Sequence, residues 1–315
     1  MAIKNIKIAW SRSSPCLQGL SQGILCINVY FWMDTMRHFL FRTFLLPIMA
    51  LFATTTPASG ASFVIYYSDQ APVTHFEPFD LIVFDTLYHP PLERLKERGK
   101  TILGYLSLGE VENHRHHFAD AKGQDLLFFE NEDWPGSFFV DCRNPLWTKM
   151  VIEILIPDIL QQGFHGLFID TMDNPGYLED LDPKKYQGMR LGGINLIKAI
   201  RRHYPDIPIM INRGFDLLDH LIYDVDSILA ESTRSTIDPK TQTAILTPDA
   251  DYEAITTQLR RYKEIRPHIG LYSIDYWDPA DLKGRANIYR QQREHGFIPY
   301  VATQKLDQVI FENKP

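Results

Sequence analysis

The chain has 315 residues, 45% of them hydrophobic and 23% charged, with a formal net charge of −7. This composition excludes a disordered or low-complexity polypeptide, and the acidic balance disfavours nucleic acid and anionic membranes as partners. The length allows two average domains or one α/β barrel of about 250 residues with a leader, so the pattern along the chain decides.

Residues 1–35 read as an unstructured start-site extension before a second methionine, Met36. Residues 36–61 read as a secretory signal peptide: Arg37 and Arg42, an apolar run at 43–53, then Ser59 and Ala61 at the −3 and −1 positions of a cut before Ser62. The run is shorter than the ~18 residues a membrane span needs; the alternative is an N-terminal anchor. The mature protein is therefore expected at 62–315, secreted or periplasmic, monomeric, with no stable membrane association after the signal is removed. Losing 1–61 removes five of the 32 basic residues and one of the 39 acidic ones, leaving a net charge of −11. Cys142 is the single mature cysteine, so no internal disulfide is expected.

Eight apolar, strand-like runs follow, at 63–67, 81–84, 101–106, 166–169, 208–211, 227–230, 270–274 and 297–301. Helical spacing appears between them at 91–98, 191–203, 215–223, 252–265 and 281–295. Another helix begins at the Asn144 cap with Pro145 in its first turn; it runs towards Gln162 with a kink at Pro157. Strands apolar on both faces and alternating with helices predict a parallel sheet, and eight such units predict an α/β fold of the (β/α)8 TIM-barrel type. The alternative is an open doubly wound sheet, but no glycine-rich phosphate loop follows any strand.

Such a barrel carries its chemistry at the C-terminal strand ends. Candidate substrate-binding residues there are Tyr66, Asp69, Asp85, Tyr105, Glu110, Asp141, Asp173, Asn212, Arg213, Asp275, Tyr276 and Tyr300. Acids mixed with aromatics suit a glycan: rings stack on sugar C–H faces, and carboxylates hold hydroxyls and move protons. Asp170 and Glu231 each directly end an apolar run and form the expected catalytic pair; the alternative is two buried acids satisfied by backbone amides. Asp85 and Asp275 could equally be helix caps. His114, His116 and His117 lie in a polar loop without a defined further ligand set, so neither metal nor cofactor is expected, and Cys142 reads as a packed thiol.

Four motifs carry a family resemblance: Gly104-Tyr105-Leu106-Ser107-Leu108-Gly109-Glu110; Val140-Asp141 with Asn144-Pro145 and Trp147; Gly166-Leu167-Phe168-Ile169-Asp170 with Asp173; and Glu231-Ser232. In order and spacing, from about 63 to 303, the chain resembles glycoside hydrolase family 114, the endo-α-1,4-polygalactosaminidases. The resemblance implies a TIM barrel and endo-hydrolysis of an α-1,4-linked galactosamine-rich polysaccharide. It places the family's strand-4 Asp on Asp170 and its strand-6 Glu on Glu231. Analogy with other α-retaining barrels makes Asp170 the nucleophile and Glu231 the general acid/base. Thr171-Met172-Asp173-Asn174 departs from the family's Asn-x-Asp-aromatic pattern, which bears on substrate and subfamily. A non-catalytic glycan-binding barrel, a glycosidase of the same fold acting on another polysaccharide, and a scaffold protein are the rival readings.

Overall fold

The runs rich in Val, Ile, Leu, Phe and Tyr become strands because a pleated segment apolar on both faces is stable only inside a covered sheet. In the computed structural model, which describes residues 61–312, these are β1 (Phe63–Tyr66), β2 (Leu81–Phe84), β3 (Thr101–Ser107), β4 (Gly166–Asp170), β5 (Ile209–Asn212), β6 (Ser227–Glu231), β7 (Gly270–Tyr276) and β8 (Ile298–Ala302). All eight predicted runs are strands, with ends shifted by no more than two residues. They pair parallel in strict chain order, β1 to β8. The sheet curls into a nearly closed TIM-like barrel. At its seam the Phe63 ring meets Tyr300 edge-on at 5.9 Å, and the Tyr67 amide donates to the Leu306 carbonyl at 2.7 Å.

Helices cover the outside. One close approach requires glycine: a Cβ on Gly104, in β3, would lie 2.6 Å from Ile159 Cγ2 on the covering helix. That helix starts as predicted, with the Asn144 side chain accepting from the Leu146 amide at 3.0 Å and Pro145 in the first turn. The irregularity predicted at Pro157 takes a specific form. The α-helix Pro145–Met150 widens into a π-helical turn, Val151–Leu155, before continuing as Ile156–Gln161. Pro157 has no N–H to donate and its ring crowds the preceding turn, and a wider turn relieves both.

Three predictions of extent need revision. The helix expected at 215–223 is only Leu218–Leu221. A three-stranded antiparallel sheet, Glu110–Glu112, Leu127–Glu130 and Ser137–Val140, is inserted after β3, and a hairpin, Ser235–Ile237 with Ala244–Leu246, follows β6. Strands of three or four residues are too short to show a period, so neither sheet is marked in the sequence. The extension at 1–35 and the leader at 36–61 lie, but for Ala61, outside the described residues. Among the described residues no helix is long and apolar enough to cross a membrane.

Candidate active site

Register fixes the site. Asp170 pairs with Ser107 across β4 and β3, Asn212 with Leu229 across β5 and β6, and Glu231 with Ile274 across β6 and β7. Three polar side chains therefore end three successive strands at one rim, in the floor of a cavity of about 650 Å³.

Asn212 joins the two carboxylates. Its amide nitrogen donates to Asp170 Oδ1 at 2.9 Å and to Glu231 Oε2 at 2.6 Å, using both of its hydrogens. Two oxygens held 2.9 and 2.6 Å from one nitrogen are at most about 5.5 Å apart. The Tyr276 hydroxyl donates to Glu231 Oε1 at 2.6 Å. Asp170 also accepts from the Thr171 amide at 2.8 Å. Burial, and then the nearby Glu231 charge, push the Asp170 carboxyl up to about 6, against the pull of these donors.

The residue after each of the three strand ends has a left-handed backbone: Thr171 (φ 64°), Arg213 (φ 54°) and Ser232 (φ 55°). This is costly for any side chain and most of all for β-branched threonine, and it turns the chain sharply away so that the preceding side chain faces the cavity. Local bonds hold Thr171. Its hydroxyl accepts from the Gly109 amide at 2.8 Å and donates to the Asp170 carbonyl at 2.6 Å. Gly109 is required here, because a Cβ would collide with the Thr171 carbonyl oxygen.

Polar clusters form the walls. Asp85, buried, accepts from Arg115 Nη2 at 2.7 Å; Arg115 Nε donates to Glu112 at 2.6 Å, and its guanidinium lies 5.2 Å over the Tyr105 ring. Glu110, also buried, accepts from Asn131 at 2.8 Å, Asn174 at 2.7 Å and Ser137 at 2.5 Å. It thus ties the inserted sheet to the start of the helix Asn174–Leu181 that follows Asp170. Asp173 pairs with Arg213 Nε at 2.5 Å and accepts from the Gly214 amide at 2.8 Å.

The structure brings Asp85, Tyr105, Glu110, Asp170, Asp173, Asn212, Arg213, Glu231 and Tyr276 to one cavity. Five other candidates do not line it. Tyr66 is fully buried, its hydroxyl accepting from the Ala71 amide, and Tyr300 is buried at the seam, its hydroxyl accepting from the Ile310 amide. Asp69 is exposed beside Gln70, and Asp141 pairs with Arg143 at 2.8 Å. Strand alternation explains the first case: Tyr67, one residue on, lines the cavity instead. Arg115, Asn131 and Trp134 also line it and were missed. They come from the insert and its approaches, where no strand end marks them.

Asp275 faces away from the cavity, in a buried network under the hairpin. Its Oδ1 accepts the Arg234 and Ser235 amides, both at 2.8 Å, and its Oδ2 accepts Gln292 Nε2 at 2.5 Å. Burial pushes its carboxyl up to about 6 despite these donors. A folded-state pKa above the unfolded value of about 3.9 means that the folded protein binds the proton more tightly, so stability falls as pH rises from about 4 through 6. Asp275→Asn keeps an acceptor for the two amides and removes the titration. Its melting temperature should fall less between pH 4 and pH 8 than that of the wild type. An unchanged difference between the two pH values would contradict this.

The histidines hold no cluster. His114 lies 3.8 Å from Glu112 and His116 lies 3.4 Å from Asp158, while burial pushes the His117 imidazole down to about 4. Among the described residues no three His, Cys, Asp or Glu are grouped to hold a metal. The Cys142 thiol is buried against the Leu108 carbonyl at 3.5 Å and pushed up to about 12 by desolvation.

A model of glycoside-hydrolase family GH114 matches residues 49–314. A protein of Deinococcus radiodurans is 25% identical over 270 residues, covering 81% of this chain and 83% of its own. Among solved structures, the glycoside hydrolase domain of PelA from Pseudomonas aeruginosa is 24% identical with a TM-score of 0.69, over 78% of this chain and 96% of that one. Ega3 from Aspergillus fumigatus, solved in complex with galactosamine, is 16% identical with a TM-score of 0.58, over 81% and 96%. The likeness to these two structures is one of fold.

Proposed function

Because the chain belongs to glycoside hydrolase family GH114 and is a glycoside hydrolase, we propose that it cleaves an α-1,4-linked, galactosamine-rich polysaccharide internally and with retention, Asp170 acting as nucleophile and Glu231 as general acid/base. The observation that carries this is the carboxylate pair bridged by Asn212. Its oxygens, at most about 5.5 Å apart, suit the short spacing of retaining glycosidases rather than the ~6.5–9.5 Å that leaves room for a water. In the first step Glu231 gives its proton to the glycosidic oxygen as that bond breaks, and Asp170 bonds to the anomeric carbon. In the second step Glu231 takes a proton from water, whose oxygen displaces Asp170. The two donors to Asp170 Oδ1 hold its carboxylate in place, and Tyr276 orients Glu231.

The cavity wall supports a cationic sugar. Six carboxylates line it, those of Asp85, Glu110, Glu112, Asp170, Asp173 and Glu231, against Arg115, Arg213 and Lys305. Both arginines are already paired, with Asp85 and Glu112 and with Asp173, so the surplus charge is negative. The galactosamine seen with Ega3 supports the same class. The basic, apolar and small-residue pattern at 36–61 supports export. Purified 62–315 should shorten α-1,4-galactosaminan, with a rate that falls as salt is raised. Neutral α-glucan should be left intact. Cleavage of the glucan but not of the amino-sugar polymer, read by product sizing, would overturn the substrate.

A further inference from the structure

The inserted sheet carries a feature that the reaction at the floor does not use. Trp134 stands in the turn at 131–136, between the strands Leu127–Glu130 and Ser137–Val140; it lines the mouth of the cavity and is 62% exposed. A large ring left in water is usually on a loop that moves, but this turn is tied at almost every residue. The Asn131 amide donates to the Ser137 carbonyl at 2.8 Å, the Trp134 amide to the Asn131 carbonyl at 3.1 Å, and the Ser137 amide to the Trp134 carbonyl at 3.0 Å. The Gly136 amide donates to Glu130 Oε1 at 2.6 Å, and the Asn131 side chain reaches Glu110 at 2.8 Å. Glu110 also holds Asn174, the first residue of the helix Asn174–Leu181 that follows Asp170, so the ring's support is fixed to the catalytic floor. The two residues before the ring, Glu132 and Asp133, are exposed carboxylates.

We propose that this turn is a distal subsite for one amino-sugar unit of the bound polymer, outside the two units that flank the scissile bond. The Trp134 ring takes the apolar C–H face of the sugar, and Glu132 and Asp133 take its ammonium group. An aromatic face supplies area at low entropic cost when its backbone is already fixed, and a carboxylate beside it distinguishes a charged amine from a hydroxyl. Continuity with the catalytic cavity commits the occupant, because Trp134 lines the same cavity as Asp170 and Glu231. The subsite rests on the galactosaminan reading, and it gives that reading a preference for long chains.

The test uses α-1,4-galactosamine oligomers of increasing length and the polymer, with the wild type, Trp134→Ala, Trp134→Phe and the double variant Glu132→Gln/Asp133→Asn. In the wild type kcat/KM should rise with length until the turn is reached, then level off. Trp134→Ala should lower the ratio of long-chain to short-chain kcat/KM by about threefold to tenfold, chiefly through KM, and Trp134→Phe should restore most of it. The double variant should lower that ratio at low salt and match the wild type at high salt. A loss equal at every length, or no loss, overturns the subsite while leaving the substrate reading intact. Cleavage of none of the oligomers by the wild type overturns both.

Discussion

Asp170→Asn and Glu231→Gln should each lower kcat by at least about a hundredfold, the lower end for loss of a positioned acid–base or nucleophilic group. Both amides keep the volume of the acid and can still accept from Asn212, so folding should be undisturbed; an unchanged melting curve is the control. The glutamine lacks the proton that must reach the leaving oxygen, and the asparagine cannot displace it. The two alanine variants separate the roles. Azide is a small anionic nucleophile. Where the acid/base is missing it should intercept the glycosyl-enzyme and give a product of retained configuration; where the nucleophile is missing it should attack directly and give the inverted one. Azide product of inverted configuration from Glu231→Ala would exchange the two roles. Near-wild-type turnover by either amide variant would remove that residue from the mechanism.

The pH profile should be the second large effect. The proposed nucleophile must be ionised to attack the anomeric carbon. Burial and the repulsion of the Glu231 charge push the Asp170 carboxyl up to about 6. Below that value Asp170 takes up a proton, the nucleophile is lost, and kcat/KM should fall about tenfold per pH unit. Asn212 stabilises the Asp170 carboxylate by donating to it, so Asn212→Ala should shift this acidic limb to higher pH even as it lowers the maximum rate. A merely structural role for Asn212 would leave the limb in place. A wild-type profile flat from pH 4 to pH 7 would rule out a raised Asp170 carboxyl as the nucleophile.

The barrel was legible because eight strand runs and the intervening helices repeat one pattern, and each strand is long and apolar enough to be recognised alone. Asp170, Asn212 and Glu231 were legible for the same reason: each closes such a run. What escaped was whatever depends on contacts distant in sequence. Arg115 sits in a histidine-rich stretch that looks solvated, and only the fold brings it onto Asp85 and Tyr105. Asp275 ends its strand much as Glu231 does, yet it binds two backbone amides under a hairpin whose three-residue strands leave no periodic trace. Tyr66 and Tyr67 differ by the parity of one strand, which composition cannot resolve.

The inverted backbone at Thr171, Arg213 and Ser232 has a bearing on how this sequence tolerates change. A left-handed residue with a side chain costs about 1–2 kcal/mol, and glycine would avoid that cost at each position. Yet the Thr171 hydroxyl braces Gly109, and the Arg213 guanidinium holds Asp173. A sequence selected for stability alone would drift to glycine or asparagine at these places and loosen the floor beneath the pair. Stabilising campaigns on this scaffold should therefore leave the three positions fixed and seek their gains in the outer helices.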